Sequence, residues 1–90
     1  MTRVSTRRAM IQFGLRVVEE REGAELTQEQ LAERLGIGWR QVQRLEAGRT
    51  NPGLELIIEL ARILGVRPGV LFDPPSSSTK RRPGRPSRDA

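Results

Sequence analysis

The chain of 90 residues contains no cysteine and no histidine. Without thiols it can form neither a disulfide framework nor a thiolate metal site. Without imidazole it lacks the commonest general base and a frequent metal ligand. The serines lie outside the apolar segments, with no histidine or cysteine to build a nucleophile–base pair. We therefore expect no metal, no cofactor and no enzymatic activity.

Long apolar runs are also missing, and aromatic residues make up only 3% of the chain. No run approaches the roughly 18 apolar residues of a membrane-spanning helix, and no signal-peptide pattern opens the sequence. We expect a cytoplasmic protein, associated with the nucleoid if its partner is DNA, and no membrane contact. Ninety residues allow one small domain.

Lysine is nearly absent as well: Lys80 is the single lysine among 16 basic residues, and the net charge is +5. A net positive charge of this size favours a polyanionic partner through Coulomb attraction and counterion release. Guanidinium groups suit phosphates and guanine edges better than ammonium groups do. A GC-rich coding bias would produce the same excess of arginine, so the ratio is compatible with either cause.

The apolar residues end at Phe72, apart from Ala90, so the core is expected to end there. Residues 73–90 contain four prolines and three consecutive serines. Their five basic residues are Lys80, Arg81, Arg82, Arg85 and Arg88. A segment without apolar side chains cannot offset its ordering entropy, so we predict a disordered basic tail.

Within this tail, residues 80–86 resemble a degenerate AT-hook, a motif whose Gly-Arg-Pro core lies in narrow minor grooves. Pro83 stands where the hook has its core arginine before the glycine, so the match is incomplete. The alternative is nonspecific attraction of a basic segment to phosphates.

Five helical segments are predicted upstream, with no strand signal. Residues 1–9 form a basic arm or an extension of the first helix, which runs from about Met10 to a left-handed cap at Gly23. Thr27 and Gln30 form a capping box that starts the second helix. Gly38 is the N-cap of the third helix, which Gly48 ends.

The fourth helix is expected from Leu54 to Leu64 with Gly65 as its cap, and a short fifth helix from Pro68 to Phe72. Apolar residues at helical spacing mark the inner faces. They are Met10, Phe13, Val17, Val18, Leu31, Ala32, Leu35, Val42, Leu45, Ile57, Leu60, Ala61 and Leu64. The prediction is a compact all-α, five-helix domain over residues 10–72.

The second and third helices meet across Gly36-Ile37-Gly38, a joint too short for antiparallel packing. That geometry is typical of a helix-turn-helix, which places its second helix in the major groove of DNA. The segment resembles the lambda-repressor and Cro family (XRE-type regulators), and the resemblance extends over residues 10–72. It implies a lambda-repressor-like DNA-binding domain. Glu25 departs from the family pattern, since many members have glycine there.

With Val42 and Leu45 turned inward, the third helix directs its polar side chains outward. They are Trp39, Arg40, Gln43 and Arg44, with Gln41 at the flank. Arginine can bridge guanine O6 and N7, and glutamine can pair with adenine N6 and N7. The alternative is an ordinary solvated face.

Trp39 has three interpretations. Its indole could cover thymine methyl groups or stack along the sugar edge. It could instead fold back over the turn onto Ile37 and the second helix, or contact a protein partner.

The resemblance implies further contacts. Gln28, at the start of the second helix, would meet a phosphate, and Arg49 and Thr50 would follow the DNA backbone. Arg21 and Glu46 would form an ion pair that links the first helix to the end of the third.

The leading interpretation is a sequence-specific transcriptional regulator of double-stranded DNA, with repression favoured, acting as a homodimer on a two-fold symmetric site. By resemblance, the dimer surface would include Val66, Val70, Leu71 and Phe72, although Phe72 could equally seal the monomer core. The alternative is an antitoxin, whose partner is a toxin, or a bridging coactivator.

Overall fold

A computed structural model describes residues 5–76 of the chain. Its elements are α1 (Thr6–Gly23), α2 (Gln28–Leu35), α3 (Trp39–Glu46), α4 (Leu54–Leu64) and a 3-10 helix (Pro68–Phe72). No strand occurs in these residues, so the all-α prediction is confirmed. Within this range, no helix is both long and apolar enough to cross a membrane.

The predicted fifth helix lies at Pro68–Phe72, but it is a 3-10 helix, so residues 5–76 contain four α-helices and the five-helix count was slightly off. The segment has only five residues and starts with Pro68 and Gly69. The Val70 amide donates to the carbonyl of Arg67, three residues back, at 2.9 Å. This tighter winding is usual in short pieces with few intrahelical bonds.

The predicted capping signals around α2 are confirmed. The Thr27 hydroxyl accepts from the Gln30 amide at 3.0 Å, and the Gln30 side chain accepts from the Thr27 amide at 2.9 Å. Gly36 then ends α2 in the left-handed conformation, at φ 72°. Both ends of α2 therefore depend on residues within one turn of it.

Of the two alternatives for the N-terminal segment, residues 6–9 adopt the helix extension rather than a separate arm. The helix begins at Thr6 instead of near Met10, and the Ser5 side chain caps it by accepting from the Arg8 amide at 3.3 Å. Residues 6–9 therefore extend the helix. Residues 1–4 lie outside the described range.

The end of α1 also differs from the prediction. Gly23 is the last helical residue, but the left-handed conformation falls on Glu25, at φ 60°. Ala24 has φ −87° and ψ 0°, and the Leu26 amide closes the turn on the Arg21 carbonyl at 3.1 Å. A left-handed residue with a side chain is uncommon, so the turn is mildly strained at Glu25.

The core draws apolar side chains from every element. Those buried are Phe13, Val17, Leu26, Leu31, Ala32, Val42, Leu45, Ile57, Leu60, Ala61, Leu64 and Leu71. Two glycines let α1 approach the end of α3. A Cβ on Gly14 would lie 2.6 Å from the carbonyl oxygens of Leu45 and Glu46. A Cβ on Gly48 would lie 2.7 Å from the Cα of Ile11.

Residues 73–76, which we assigned to a disordered tail, are held against α1. Arg16 Nη1 donates to the Pro74 carbonyl at 3.0 Å, and the Ser76 amide and hydroxyl donate to the Glu19 carboxylate at 3.1 and 2.9 Å. These contacts are between segments far apart in sequence, so composition does not reveal them. The predicted tail beyond Ser76, including the hook-like residues 80–86, lies outside the described residues.

Candidate nucleic-acid interface

The three-residue joint between α2 and α3 sets the orientation of α3. The Ile37 amide donates back to the Ala32 carbonyl at 3.1 Å, which closes the end of α2. Gly38 then takes an extended conformation as the N-cap of α3. Val42 and Leu45 are buried, as predicted, so the opposite face of α3 points to solvent.

Most of the predicted contact residues lie together on this outward face. One shallow concavity, open to solvent, is lined by Trp39, Arg40, Gln43, Arg44, Ala47 and Arg49. Among residues 5–76, the ion pairs that are present involve Arg16, Arg21 and Arg62 as cations. The three arginines of the concavity thus have no carboxylate partner in the described structure. Their charges are available to an anionic ligand.

Gln41 and Thr50 lie outside this concavity. The Gln41 side chain accepts from the Gly38 amide at 3.0 Å, so its oxygen caps the start of α3. Thr50 is half-buried in the loop after Arg49. Neither position prevents contact with DNA, but the structure gives Gln41 a capping role that the sequence analysis did not assign.

Gln28 is engaged within the protein. Its Nε2 donates to Glu46 Oε1 at 2.7 Å, and its Oε1 accepts from the indole Nε1 of Trp39 at 3.3 Å. The indole therefore reaches α2 while its residue remains 47% exposed. Gln28 is separated from Glu46 by 18 residues and from Trp39 by 11, so no local pattern in the sequence signals either bond.

The predicted ion pair between Arg21 and Glu46 is confirmed. Arg21 Nε lies 2.7 Å from Glu46 Oε2, and Nη2 donates to Oε1 at 3.2 Å. The Glu46 side chain is only 4% exposed. Arg21 Nη1 also donates to the Leu26 carbonyl at 2.8 Å. A buried carboxylate with this many donors is well compensated, and the pair fixes the end of α3 to α1.

The apolar surface away from the concavity differs from the predicted dimer surface. Leu71 is fully buried, so it cannot contact a second subunit. The Phe72 ring lies 5.4 Å from the Phe13 ring, yet the residue is 64% exposed. Two apolar residues of α4 that were not singled out from the sequence are exposed, Leu54 at 72% and Ile58 at 48%. They are one turn apart and therefore share a face.

The geometry of α2, the joint and α3 is that of a helix-turn-helix protein. A sequence profile of the family described as helix-turn-helix matches residues 17–71. An "uncharacterized HTH-type transcriptional regulator" of Methanothermobacter thermautotrophicus is 47% identical over 47 residues, which cover 52% of this chain and 68% of that protein.

Solved structures agree. The restriction-modification controller protein C.AhdI from Aeromonas hydrophila is 36% identical, with a TM-score of 0.68 over 70% of this chain and 96% of that one. A hypothetical transcription factor from Neisseria, at 24% identity, shares the fold with a TM-score of 0.72 over 87% of this chain and 90% of its own.

The chain therefore belongs to the helix-turn-helix family, and the resemblance to XRE-type regulators is confirmed. It is a DNA-binding regulator of transcription.

Proposed function

We propose that the protein is a sequence-specific repressor that inserts α3 into the major groove of DNA and binds as a homodimer. The observation that carries this proposal is the outward concavity, where three arginines that have no carboxylate partner among residues 5–76 surround one face of α3. Arg40 and Arg44 are one turn apart on that face, so both can reach base edges in one groove.

The surrounding residues are suited to hold the DNA backbone. Arg49 lies three residues after the last residue of α3, and its amide donates to the Arg44 carbonyl at 2.9 Å, which keeps the loop close to the helix. We assign Arg49 and Thr50 to phosphates. Gln28 uses one Nε2 hydrogen for Glu46, and its second Nε2 hydrogen can reach a phosphate at the start of α2.

The experiment is selection of bound sequences from a random DNA pool, followed by titration of Arg40→Ala and Arg44→Ala on the selected site at fixed salt. Each substitution should cost about 1–3 kcal/mol of specific binding and leave the melting temperature unchanged. Arg34→Ala is the matched control, because Arg34 is exposed on α2 outside the concavity and its removal changes the charge equally. Equal affinity of all three variants and wild type would refute recognition by α3.

The homodimer is proposed from the exposed apolar surface of Leu54, Ile58 and Phe72. Leu54 and Ile58 share one face of α4, and large apolar side chains exposed on one face are a usual mark of an association site. A single domain of this size also buries too little DNA to select one site in a genome, and a dimer doubles the sequence that is read. The selected DNA should then show two half-sites whose centres are about 34–36 Å apart, or a multiple of that spacing.

Leu54→Glu tests this surface. Leu54 is the first residue of α4, where a carboxylate favours the helix dipole, so the fold should tolerate the change. Leu15→Glu is the control, since Leu15 is an exposed leucine on α1. Sedimentation equilibrium should show weaker dimerisation for Leu54→Glu alone. A wild-type protein that stays monomeric when bound to the selected DNA would contradict the dimer.

A further inference from the structure

A chain of hydrogen bonds runs from α1 through α3 and α2 back to the start of α3. Arg21 donates twice to the Glu46 carboxylate, at 2.7 and 3.2 Å. Gln28 Nε2 donates to the same carboxylate at 2.7 Å. Trp39 Nε1 then donates to Gln28 Oε1 at 3.3 Å. Arg21 and Glu46 stabilise the fold, whereas Trp39 lies in the candidate interface. This series of hydrogen bonds therefore connects the buried ion pair to the candidate interface.

The buried carboxylate decides which way the Gln28 amide points. A carboxylate only accepts hydrogen bonds, so the NH₂ end of the amide must face Glu46. Its oxygen is then left at the outer end, beside α3. An amide oxygen only accepts, and an indole nitrogen only donates, so Trp39 is a matching partner and a phosphate oxygen at that atom is not. Glu46 thereby orients Trp39 without touching it.

This bond determines what the indole can offer a ligand. The indole nitrogen is its only polar atom and donates a hydrogen bond to Gln28, while the residue is 47% exposed beside Arg40. A half-exposed indole whose N–H is occupied presents carbon atoms only. In the major groove, the one apolar group that distinguishes bases is the 5-methyl group of thymine.

We propose that Gln28 is a positioning residue that holds the Trp39 indole in one orientation at the start of α3, and that Trp39 so held reads a thymine methyl group. The second half rests on the proposed function of α3 as the recognition helix. The first half does not, because it concerns the free protein.

The orientation is tested without DNA, since Trp39 is the only tryptophan and the chain has no tyrosine. We compare time-resolved fluorescence anisotropy and acrylamide quenching in wild type, Gln28→Met and Glu46→Gln, at temperatures where circular dichroism shows each variant folded. Gln28→Met keeps the side-chain length but removes the acceptor amide oxygen. Glu46→Gln removes the charge that orients the amide, at a residue that is not bonded to the indole.

Both variants should increase the fast, local depolarisation of Trp39 and raise the quenching constant. Glu29→Gln is the matched control, because Glu29 shares a surface recess with Gln28 and Trp39 but is outside the hydrogen-bonded chain. If charge acted on the indole through space, the nearby Glu29 would have the larger effect. An indole equally immobile in wild type and Gln28→Met overturns the positioning role, and Gln28→Met decides the matter if Glu46→Gln does not fold.

The reading of thymine is tested on the selected DNA by replacing one thymine at a time with uracil, which removes only the methyl group. At one position per half-site, wild type should lose about 3- to 5-fold in affinity, the scale of one buried methyl group. In Trp39→Ala, replacing that thymine with uracil should not change the affinity. In Gln28→Met, the same replacement should lower the affinity less than it does in wild type. A uracil penalty that is the same in wild type and Trp39→Ala, or absent at every position in wild type, overturns the thymine contact. If no DNA is selected at all, the proposed function is wrong. The fluorescence measurements would then still test whether Gln28 positions Trp39, because they use the free protein.

Discussion

Gly14→Ala provides the sharpest test of how α1 positions α3. Gly14 is buried in the middle of α1, and a Cβ there would lie 2.6 Å from two backbone carbonyl oxygens at the end of α3. Carbon–oxygen contacts normally settle at about 3.3–3.6 Å. The two helices would have to separate by roughly 0.7–1 Å, because backbone atoms cannot rotate away as a flexible side chain can.

Two effects of opposite sign compete in this substitution. Alanine in a helix interior is favoured over glycine by about 0.5–1 kcal/mol. Overpacking of a close contact costs about 1–3 kcal/mol, and more when the backbone must move. Because the obstructing atoms are backbone on the ion-paired end of α3, we expect the steric cost to exceed the helix gain. With the steric cost at the upper end of its range, subtracting the helix gain leaves a net loss of about 1–2 kcal/mol, and each kcal/mol lowers the melting temperature by about 4–8 °C in a domain of this size.

Thermal and urea unfolding followed by circular dichroism measure this loss. Gly23→Ala is the internal control, because Gly23 is on the same helix and a Cβ there meets nothing within 4 Å. It should be neutral or slightly stabilising. Affinity for selected DNA should fall with Gly14→Ala and not with Gly23→Ala, since only the former displaces α3. A Gly14→Ala protein that melts at or above the wild-type temperature would refute the argument.

Three other changes have expected outcomes. Arg21→Ala or Glu46→Ala should each lower the free energy of unfolding, measured in urea, by about 3–5 kcal/mol, because each leaves a buried charge without its partner. Exchanging the two charges should recover only part of this stability, because an arginine at position 46 cannot accept a hydrogen bond from Gln28. Unchanged melting of both single variants would contradict this role. Gly48→Ala should also destabilise in thermal melts, through its left-handed backbone at φ 73° and its contact with Ile11; a neutral effect would show that the loop can shift freely. Deleting residues 77–90 should weaken binding to selected and random DNA by similar factors. It should also flatten the slope of log affinity against log salt by about 0.9 for each phosphate that is no longer neutralised. An unchanged salt slope would mean that these residues do not touch DNA, and weaker binding confined to AT-rich sites would favour the AT-hook interpretation.

The helix boundaries could be predicted well where the controlling residues are neighbours in sequence. Thr27 and Gln30, Gly36 and Gly65 act within one turn of the helix that they cap, and α4 spans the predicted residues. The same holds for the two faces of α3, because the inward pair of Val42 and Leu45 sets the helical phase of every other side chain. Caps and helical periodicity depend on residues close in sequence, so they can be predicted without knowing the rest of the fold.

Predictions were wrong where a distant segment decides the outcome. Leu71 was predicted to lie in the dimer surface but is buried, whereas the exposed Leu54 was not predicted to belong to any surface. Glu25, rather than Gly23, takes the left-handed conformation at the end of α1. An apolar side chain is stabilised by burial wherever it is buried. Whether it is covered by its own domain or by another molecule depends on how the helices pack.

Local sequence patterns were enough to predict the all-α class, the caps of α2 and α4, the N-cap of α3 and the outward arginines of α3, and family resemblance added the Arg21–Glu46 pair. The packed fold was needed to place Gln28 between Glu46 and Trp39, and Gly14 against the α3 backbone. Helical periodicity and caps operate over three or four residues, so they can be read along the chain. Hydrogen bonds and close contacts between helices depend on the position of each helix relative to the others, which is fixed when the whole core packs.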